Sequence, residues 1–276
     1  MGCQARRDRR PCGMPSTQVH STAGARVGAA VALLLDLALP LSCAVCHGPA
    51  GPVCPGCLAL LRGARIRGGA ARVRPQPCPP GMPATWAGAR LQDCVRRLVT
   101  AHKDEGRRDL AVVLAEMLAG AVAAALATHP ARLEGRPVLL VPVPGSRASR
   151  RRRGDAPVPA LTGRVVTLLD QPTLIRADAL VVSRRVRDQS RLNRSERAAN
   201  LQGAFAVAAG WAQILSWCPV ILVDDVLTTG ATLAEAARAV DTVRTAAVPP
   251  PLAAVVAATS RRSHAVRPDP PRRAGP

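Results

Sequence analysis

Two adjacent carboxylates and a hydroxyl-rich turn follow one apolar run between residues 220 and 232. The run is typical of a strand covered on both faces, and it ends in Asp224 and Asp225. A predicted helix follows, and its start is a favourable place for a phosphate. The residues of this turn are Thr228, Thr229, Gly230, Ala231 and Thr232. Carboxylates beside it would accept hydrogen bonds from vicinal hydroxyls or bind a divalent metal. A ribose 5-phosphate fits both features; an ordinary acidic turn is the alternative.

A second candidate anion site follows another short apolar strand, at residues 136–144. Val143 and Pro144 end this strand, and the turn after it contains Arg150 and Arg153. Backbone donors and guanidinium groups in such a turn can bind pyrophosphate. Because arginine is abundant throughout the chain, a solvated basic loop is the alternative.

Lys103 is the only lysine among the 38 lysine and arginine residues of the chain. In a chain that otherwise uses arginine, one retained lysine suggests a role for a compact, flexible ammonium group. The hypothesis is that Lys103 reaches a leaving pyrophosphate, and its retention by chance is the alternative.

Four cysteines form two C-x-x-C pairs, Cys43 with Cys46 and Cys54 with Cys57. This doubled spacing is typical of a structural site in which four thiolates hold Zn²⁺ tetrahedrally. A pair of disulfides or a thioredoxin-like redox pair are the alternatives. Zinc held by thiolates implies a reducing compartment, so we expect a cytoplasmic protein.

The elements that must position these groups alternate between helix and strand from residue 86 onward. The pattern predicts helices at 107–128, 157–169 and 229–243, and further strands at 179–183 and 252–258. Such alternation predicts an α/β fold with a mostly parallel sheet flanked by helices, and ligands at the carboxyl ends of its strands. Both candidate anion turns then lie at one edge of the sheet.

Composition divides the chain into five segments. They are disordered termini at 1–26 and 260–276, a helix plus zinc ribbon at 27–61, a linker at 62–85 and the α/β domain at 86–259. The apolar stretch 27–41 superficially resembles a signal peptide, but Asp36 interrupts it and Pro40 ends it. Since the uninterrupted run is too short to cross a bilayer, we expect no membrane span.

The net charge of +20 suits either a nucleic acid or a polyphosphate and does not discriminate between them. Aromatic residues make up 1% of the chain, which disfavours base stacking on an open sheet. A second arginine-rich stretch, at 184–197, is either a ribbon or lid over the site or an exposed basic surface.

Together these motifs resemble the ComF-type phosphoribosyltransferase family, which is associated in several bacteria with competence and uptake of transforming DNA. The resemblance rests on the ribbon at 43–57, the segments 103–110, 141–154 and 189–205, and the segment 220–232, which resembles the 5-phosphoribosyl-1-pyrophosphate (PRPP) signature. One departure is that Asp155, Ala156 and Pro157 stand where many members have Phe-Asn-Gln. Contacts made by that Asn and Gln are therefore not expected here.

The resemblance implies a type I phosphoribosyltransferase-like fold and displacement of pyrophosphate from the ribose C1 of PRPP by a nitrogen nucleophile, with Mg²⁺ on the ligand oxygens. It implies that Asp224 and Asp225 orient the ribose hydroxyls, directly or through Mg²⁺. Residues 227–232 would hold the 5′-phosphate and residues 143–153 the pyrophosphate. The acceptor and the oligomeric state do not follow from the sequence.

Two other functions fit the same residues. A non-catalytic module would use the PRPP pocket for sensing or assembly. An accessory factor in DNA uptake would contact single-stranded DNA or a competence motor protein, and its affinity for single strands would fall with salt. The fold does not decide among the three.

Overall fold

The computed structural model describes residues 42–49, 51–128, 136–145, 156–183 and 201–259. These residues belong to one unit that begins at Ser42. Several predictions lie outside the described residues: the helix at 27–41, the disordered termini, Arg150, Arg153 and the arginine-rich stretch 184–197.

Six strands form the main sheet. They are β1 (Ala71–Val73), β2 (Ala84–Arg90), β3 (Val138–Pro142), β4 (Leu174–Arg176), β7 (Val220–Leu227) and β8 (Leu252–Ala258). Their order is β1-β2-β8-β7-β3-β4, and every neighbouring pair is parallel except β1 with β2. The predicted α/β fold with a mostly parallel sheet is confirmed.

Six helices within the described ranges accompany the sheet. They are α1 (Pro55–Ala64), α2 (Asp93–Asp104), α3 (Ala111–Ala127), α4 (Pro157–Leu169), α5 (Ala212–Leu215) and α6 (Ala231–Asp241), and a 3₁₀ turn at Arg108–Leu110 precedes α3. Strands β3 and β8 and the first four residues of β7 are apolar, as expected where both faces of a strand are covered. Ile221 of β7 belongs to the core that includes α3 and α4, and its neighbour Leu222 belongs to the core that includes α6.

Helix α3 lies directly on the sheet, in contact with β2 and β8. The approach is close enough that a Cβ atom at Gly88 of β2 would lie 1.9 Å from the Met117 carbonyl oxygen. Arg108–Ala127 is the one helical stretch among the described ranges long and apolar enough to cross a membrane, by length and composition. More than half of its most apolar window is buried inside the fold, as in the core helix of an α/β domain.

A separate two-stranded antiparallel sheet is formed by β5 (Leu180–Val182) and β6 (Phe205–Val207). The strand predicted at 179–183 is therefore present, but it pairs outside the main sheet. The arginine-rich stretch 184–197 connects these two strands in the sequence.

The segment 62–85, predicted to be a linker, contains the end of α1 and the edge strand β1. The N–H of Ile66 donates to the carbonyl oxygen of Gly88, over 3.1 Å. The Gly69 carbonyl oxygen lies 2.6 Å from where a Cβ of Gly120 in α3 would stand. This segment thus packs on the α/β domain and extends its sheet.

Candidate active site at the carboxyl edge of the sheet

The two carboxylates lie on β7 where its neighbour β3 ends. The last β3–β7 register pair is Pro142 with Val223, and the N–H of Val143 then donates to the Val223 carbonyl oxygen over 2.8 Å. Strand β7 continues for four more residues, beginning with Asp224 and Asp225. The sequence prediction that Val143 and the two acids meet at the carboxyl edge is consistent with this register.

Lys103 projects from the last turn of α2 to Asp225. Its Nζ atom lies 2.6 Å from Asp225 Oδ2, although 122 positions separate the two residues in the chain. Asp225 is buried, and the Lys103 side chain is 44% exposed, so one end of this ion pair faces solvent. Burial alone would lower the pKa of Lys103, but the Asp225 and Asp224 carboxylates raise it above the ordinary value.

The carboxyl group of Asp224 has a strongly perturbed pKa. Desolvation and then the neighbouring Asp225 charge raise its pKa to about 8, against the opposing effect of Lys103. Its Oδ1 atom accepts a hydrogen bond from the Asp225 N–H over 2.8 Å. One ammonium group therefore serves two adjacent acids, and burial beside a second carboxylate favours the protonated form of Asp224.

The hydroxyl-rich turn connects β7 to α6, as predicted. Residues 228–230 form the turn, and α6 begins at Ala231 with Gly230 as its N-cap. Gly230 has φ of +81°, in the left-handed region that favours glycine. Thr228 is exposed, and Thr229 and Thr232 are partly exposed. Hydroxyls and the first N–H groups of α6 are thus grouped at one helix start, which suits an anion.

A proline-rich segment at 75–82 covers this turn. A Cβ atom added to Gly230 would lie 2.5 Å from Met82 Sδ, 3.2 Å from Pro75 Cγ and 3.3 Å from Pro79 Cγ. Gly230 is therefore required for its φ angle and for the space it leaves. The sequence did not predict that the segment 75–82 covers the turn, because nothing in the segment indicates which turn it contacts.

Two further residues missed from the sequence connect the β5–β6 sheet to α6. The buried carboxylate of Glu235 accepts from the Phe205 N–H over 3.3 Å and from Arg238 Nε and Nη2 over 2.8 Å. Arg238 Nη2 also donates to the Phe205 carbonyl oxygen, over 3.1 Å. The pair fixes the start of β6 on the helix that follows the hydroxyl-rich turn. The sequence does show a Glu–Arg pair at i and i+3, which suggests an ion pair along one helix face. Nothing in the sequence indicates that this pair also binds strand β6.

The predicted pyrophosphate turn is described only at its beginning. Val143 is buried, Pro144 is partly exposed and Gly145 is exposed. Arg150 and Arg153 lie outside the described residues, so their contribution stays a prediction.

The four cysteines 43, 46, 54 and 57 come together near the beginning of the described chain. Their four sulfur atoms all lie within 4.8 Å of one another, and the Sγ atoms of Cys46 and Cys54 are 3.7 Å apart. Zn–S bonds of about 2.3 Å in a tetrahedron place sulfurs about 3.8 Å apart, so the cluster fits a zinc ion. All four are free thiols rather than disulfides.

Backbone donors surround the sulfurs. The Cys54 N–H points to Cys43 Sγ over 3.3 Å, and the Cys57 N–H points to Cys54 Sγ over 3.4 Å. Burial raises the pKa of Cys43, but hydrogen bonds from the backbone of Cys46, Cys54 and Val45 outweigh it and lower the pKa to about 6. Burial, together with the neighbouring cysteines, raises the pKa of Cys57. Such unequal thiols are compatible with a site completed by a cation.

Comparison of the chain with known protein families finds no match, and comparison with curated proteins finds none either. What can be inferred of its function comes from its residues and their geometry.

Proposed function

We propose that the chain binds PRPP with Mg²⁺ and transfers the phosphoribosyl group to a nitrogen acceptor, as a ComF-type protein with a type I phosphoribosyltransferase-like fold. The observation that carries the proposal is the Lys103–Asp225 ion pair, in which Nζ and Oδ2 lie 2.6 Å apart. Asp225 stands beside Asp224 on β7, and the end of this strand leads directly into the hydroxyl-rich turn. A general phosphate site needs no acid pair, whereas a ribose phosphate offers hydroxyls to it.

Each part of the ligand then has its own group of residues. The turn at 228–230 and the first two residues of α6 would hold the 5′-phosphate through N–H groups and hydroxyls. Asp224 and Asp225 would accept hydrogen bonds from the ribose hydroxyls. Val143, Pro144 and the residues after them would bound the pyrophosphate.

Two carboxylates also fit Mg²⁺, because hard oxygen ligands are those this ion prefers. When bound, the ion would neutralise charge on the ribose and pyrophosphate oxygens. Asp224 and Asp225 are the residues that would hold it. One Asp225 oxygen accepts from Lys103 and the other from the Val226 N–H, so a ligand at Asp225 would share these oxygens with both donors.

In the transfer, the bond from C1 to the pyrophosphate oxygen breaks and a bond from C1 to the acceptor nitrogen forms, while the acceptor loses a proton. Positive charge develops on the ribose and negative charge on the leaving group. A cation at the leaving group and carboxyl groups at the ribose would stabilise the two ends of this transition state. Lys103 is the residue that would move from Asp225 to the pyrophosphate.

The test is pyrophosphate release from PRPP and Mg²⁺, measured with a panel of amines and nucleobases as acceptors. The proposal expects release that depends on the acceptor and that is lost in Asp225→Asn. Binding of PRPP without release for any acceptor would favour the non-catalytic alternative. Absence of both binding and release in the folded protein would contradict the proposal.

A further inference from the structure

The four-cysteine module, residues 42–49 and 51–57, is packed on the helix that carries Lys103. Cys43, Cys57 and Leu61 belong to the same buried core as Val95 and Leu98 of α2. The module is therefore part of the domain that contains the candidate active site. This arrangement raises the question of what the module does for α2.

Two arginines join the module to α2 and to the turn after it. Arg97 Nη1 donates to the Val45 carbonyl oxygen over 3.0 Å, and Arg107 Nη1 donates to the Ser42 carbonyl oxygen over 3.0 Å. Ser42 directly precedes the first C-x-x-C pair, and Val45 lies within it. Asp109 holds the Arg107 guanidinium in place, accepting from Nε over 3.0 Å and from Nη2 over 2.7 Å.

Arg107 is also bound to the last turn of α2 through its backbone. Its N–H donates to the Ala101 carbonyl oxygen over 3.2 Å. Its carbonyl oxygen lies 2.9 Å from Nδ1 of the buried His102, which donates to it in the Nδ1–H tautomer. Lys103 is the next residue after His102, and its Nζ atom reaches Asp225. A short series of hydrogen bonds thus runs from the cysteine module to the Lys103 ion pair.

We propose that the four-cysteine module positions Lys103 against Asp225, and that Arg107 is the positioning residue that connects them. With Ser42 and Val45 fixed beside the sulfur cluster, Arg97 holds the middle of α2 and Arg107 holds the turn after it. Without those contacts the last turn of α2 is free to fray, and Lys103 leaves Asp225. The inference concerns the geometry of Lys103 and holds whether or not the site binds PRPP.

The chain allows a direct measurement of this ion pair, because Lys103 is its single lysine. Acylation by an acetyl N-hydroxysuccinimide ester needs the neutral amine, which attacks the acyl carbon and expels the leaving group as it loses a proton. The α-amino group is the only other amine, and it serves as internal reference in peptide mass spectrometry. The charged groups acting on Lys103 are Asp225, Asp224 and Asp104, all of which favour its ammonium form.

The experiment compares the Lys103 acylation rate, as a function of pH, in the zinc-loaded wild type, Arg107→Gln and Arg97→Gln. Loss of the bridge weakens the pairing with Asp225, so the profile shifts to lower pH. At one fixed pH, acylation should be about threefold faster in the bridge variants, because a larger fraction of the amine is neutral. Asp225→Asn sets the upper limit of the effect.

The matched control is Arg65→Gln, which removes a different surface arginine that pairs with Glu116. Its profile should equal that of the wild type. Both bridge variants acylating as the wild type does, while folded by circular dichroism, would overturn the inference. A shift in Arg107→Gln and Arg97→Gln but not in Arg65→Gln would support it. Since PRPP is absent throughout, the result is independent of the proposed function.

Discussion

At the scale of single residues, the main finding is that one ammonium group is shared by two adjacent acids. Lys103 contacts Asp225 directly and acts electrostatically on Asp224. The sequence predicted all three as site residues, because an only lysine and an Asp-Asp pair stand out. It did not predict that they contact each other, since no local pattern relates positions 122 residues apart.

Replacing Lys103 should affect the chemical step more than the fold. If Lys103 moves to the leaving pyrophosphate, Lys103→Met should slow pyrophosphate release by about 10²- to 10³-fold, as for loss of one charge-stabilising donor. Lys103→Arg should recover only part of the rate, because a planar guanidinium replaces a compact ammonium. Steady-state assays with saturating PRPP measure this; equal rates in all three proteins would exclude Lys103 from the reaction.

Asp224 should make the protein less stable as pH rises. Its pKa is raised from 3.8 to about 8 on folding, so between these values the unfolded chain loses a proton that the folded chain keeps. Stability therefore falls with pH across this range, and Asp224→Asn should remove that fall. Relative to the variant, the wild type should lose on the order of 1 kcal/mol or more between about pH 5 and about pH 8.

Chemical denaturation without added Mg²⁺ measures this difference. Because other groups also titrate, only the difference between the two stability curves reports on Asp224. Parallel curves would show that the Asp224 carboxyl ionises in its ordinary range.

At the scale of elements, prediction from sequence succeeded where an apolar pattern extended over many residues and boundary residues such as proline marked the ends of the element. Helix α4 has the predicted bounds because Pro157 at its first position begins it and an apolar period follows; β8 also has its predicted bounds. Strand β2, in contrast, was not predicted. Its sequence ATWAGAR is rich in Ala and Gly, which rarely mark a strand, and it becomes one through pairing with β1 and β8 and packing on α3.

Short strands and long-range pairings could not be predicted for similar reasons. Strands β1, β4 and β6 have three residues each, too few to show a period. Strand β5 was predicted, but 22 residues separate it from its partner β6. No local pattern therefore indicated that β5 pairs with β6 and not with the main sheet. The segment 62–85 has turn-forming residues that suggested a linker, and its contacts depend on the surfaces of α3 and β2.

Because the segment 75–82 covers the hydroxyl-rich turn, a side chain added at Gly230 should destabilise the protein. Gly230→Ala should cost about 1–2 kcal/mol for the positive φ. The clash with Met82 Sδ at 2.5 Å adds an overpacking cost, typically about 1–3 kcal/mol. Gly210→Ala is the matched control, since Gly210 has φ of +84° and nothing within 4 Å of the added Cβ atom. Denaturant unfolding of both variants gives the two costs.

A third variant separates the contributions. Adding Met82→Ala to Gly230→Ala should recover much of the overpacking cost and leave the cost of the φ angle. If Gly230→Ala costs no more than Gly210→Ala, the segment 75–82 does not press on the turn.

At the scale of the whole molecule, the cysteine module is an integral part of the α/β domain. Its predicted metal site fits the four sulfurs, whereas its docking on α2 was not visible in the sequence. Metal bound only by the folded state stabilises it by about 2.7 kcal/mol at a free concentration of 100 times the dissociation constant. Loss of metal should therefore destabilise the entire unit.

Metal analysis should give about one zinc per chain, and chelation should lower the free energy of unfolding by about 2–3 kcal/mol or more. Cys46→Ser should lose the zinc, whereas Cys94→Ser should keep it, because Cys94 lies outside the sulfur cluster. A wild-type protein purified under reducing conditions without zinc, and equally stable with and without chelator, would show that the cluster is not a metal site.

The central claim is that the acid pair and the hydroxyl-rich turn form one PRPP pocket. Calorimetric titration of PRPP with Mg²⁺ into the zinc-loaded protein tests it most directly, with an Asp224→Ala, Asp225→Ala double variant as control. We expect a micromolar dissociation constant, about −8 kcal/mol, that is lost in the folded double variant. No binding by the folded wild type would contradict the claim, and the DNA-uptake alternative would then become the first to test.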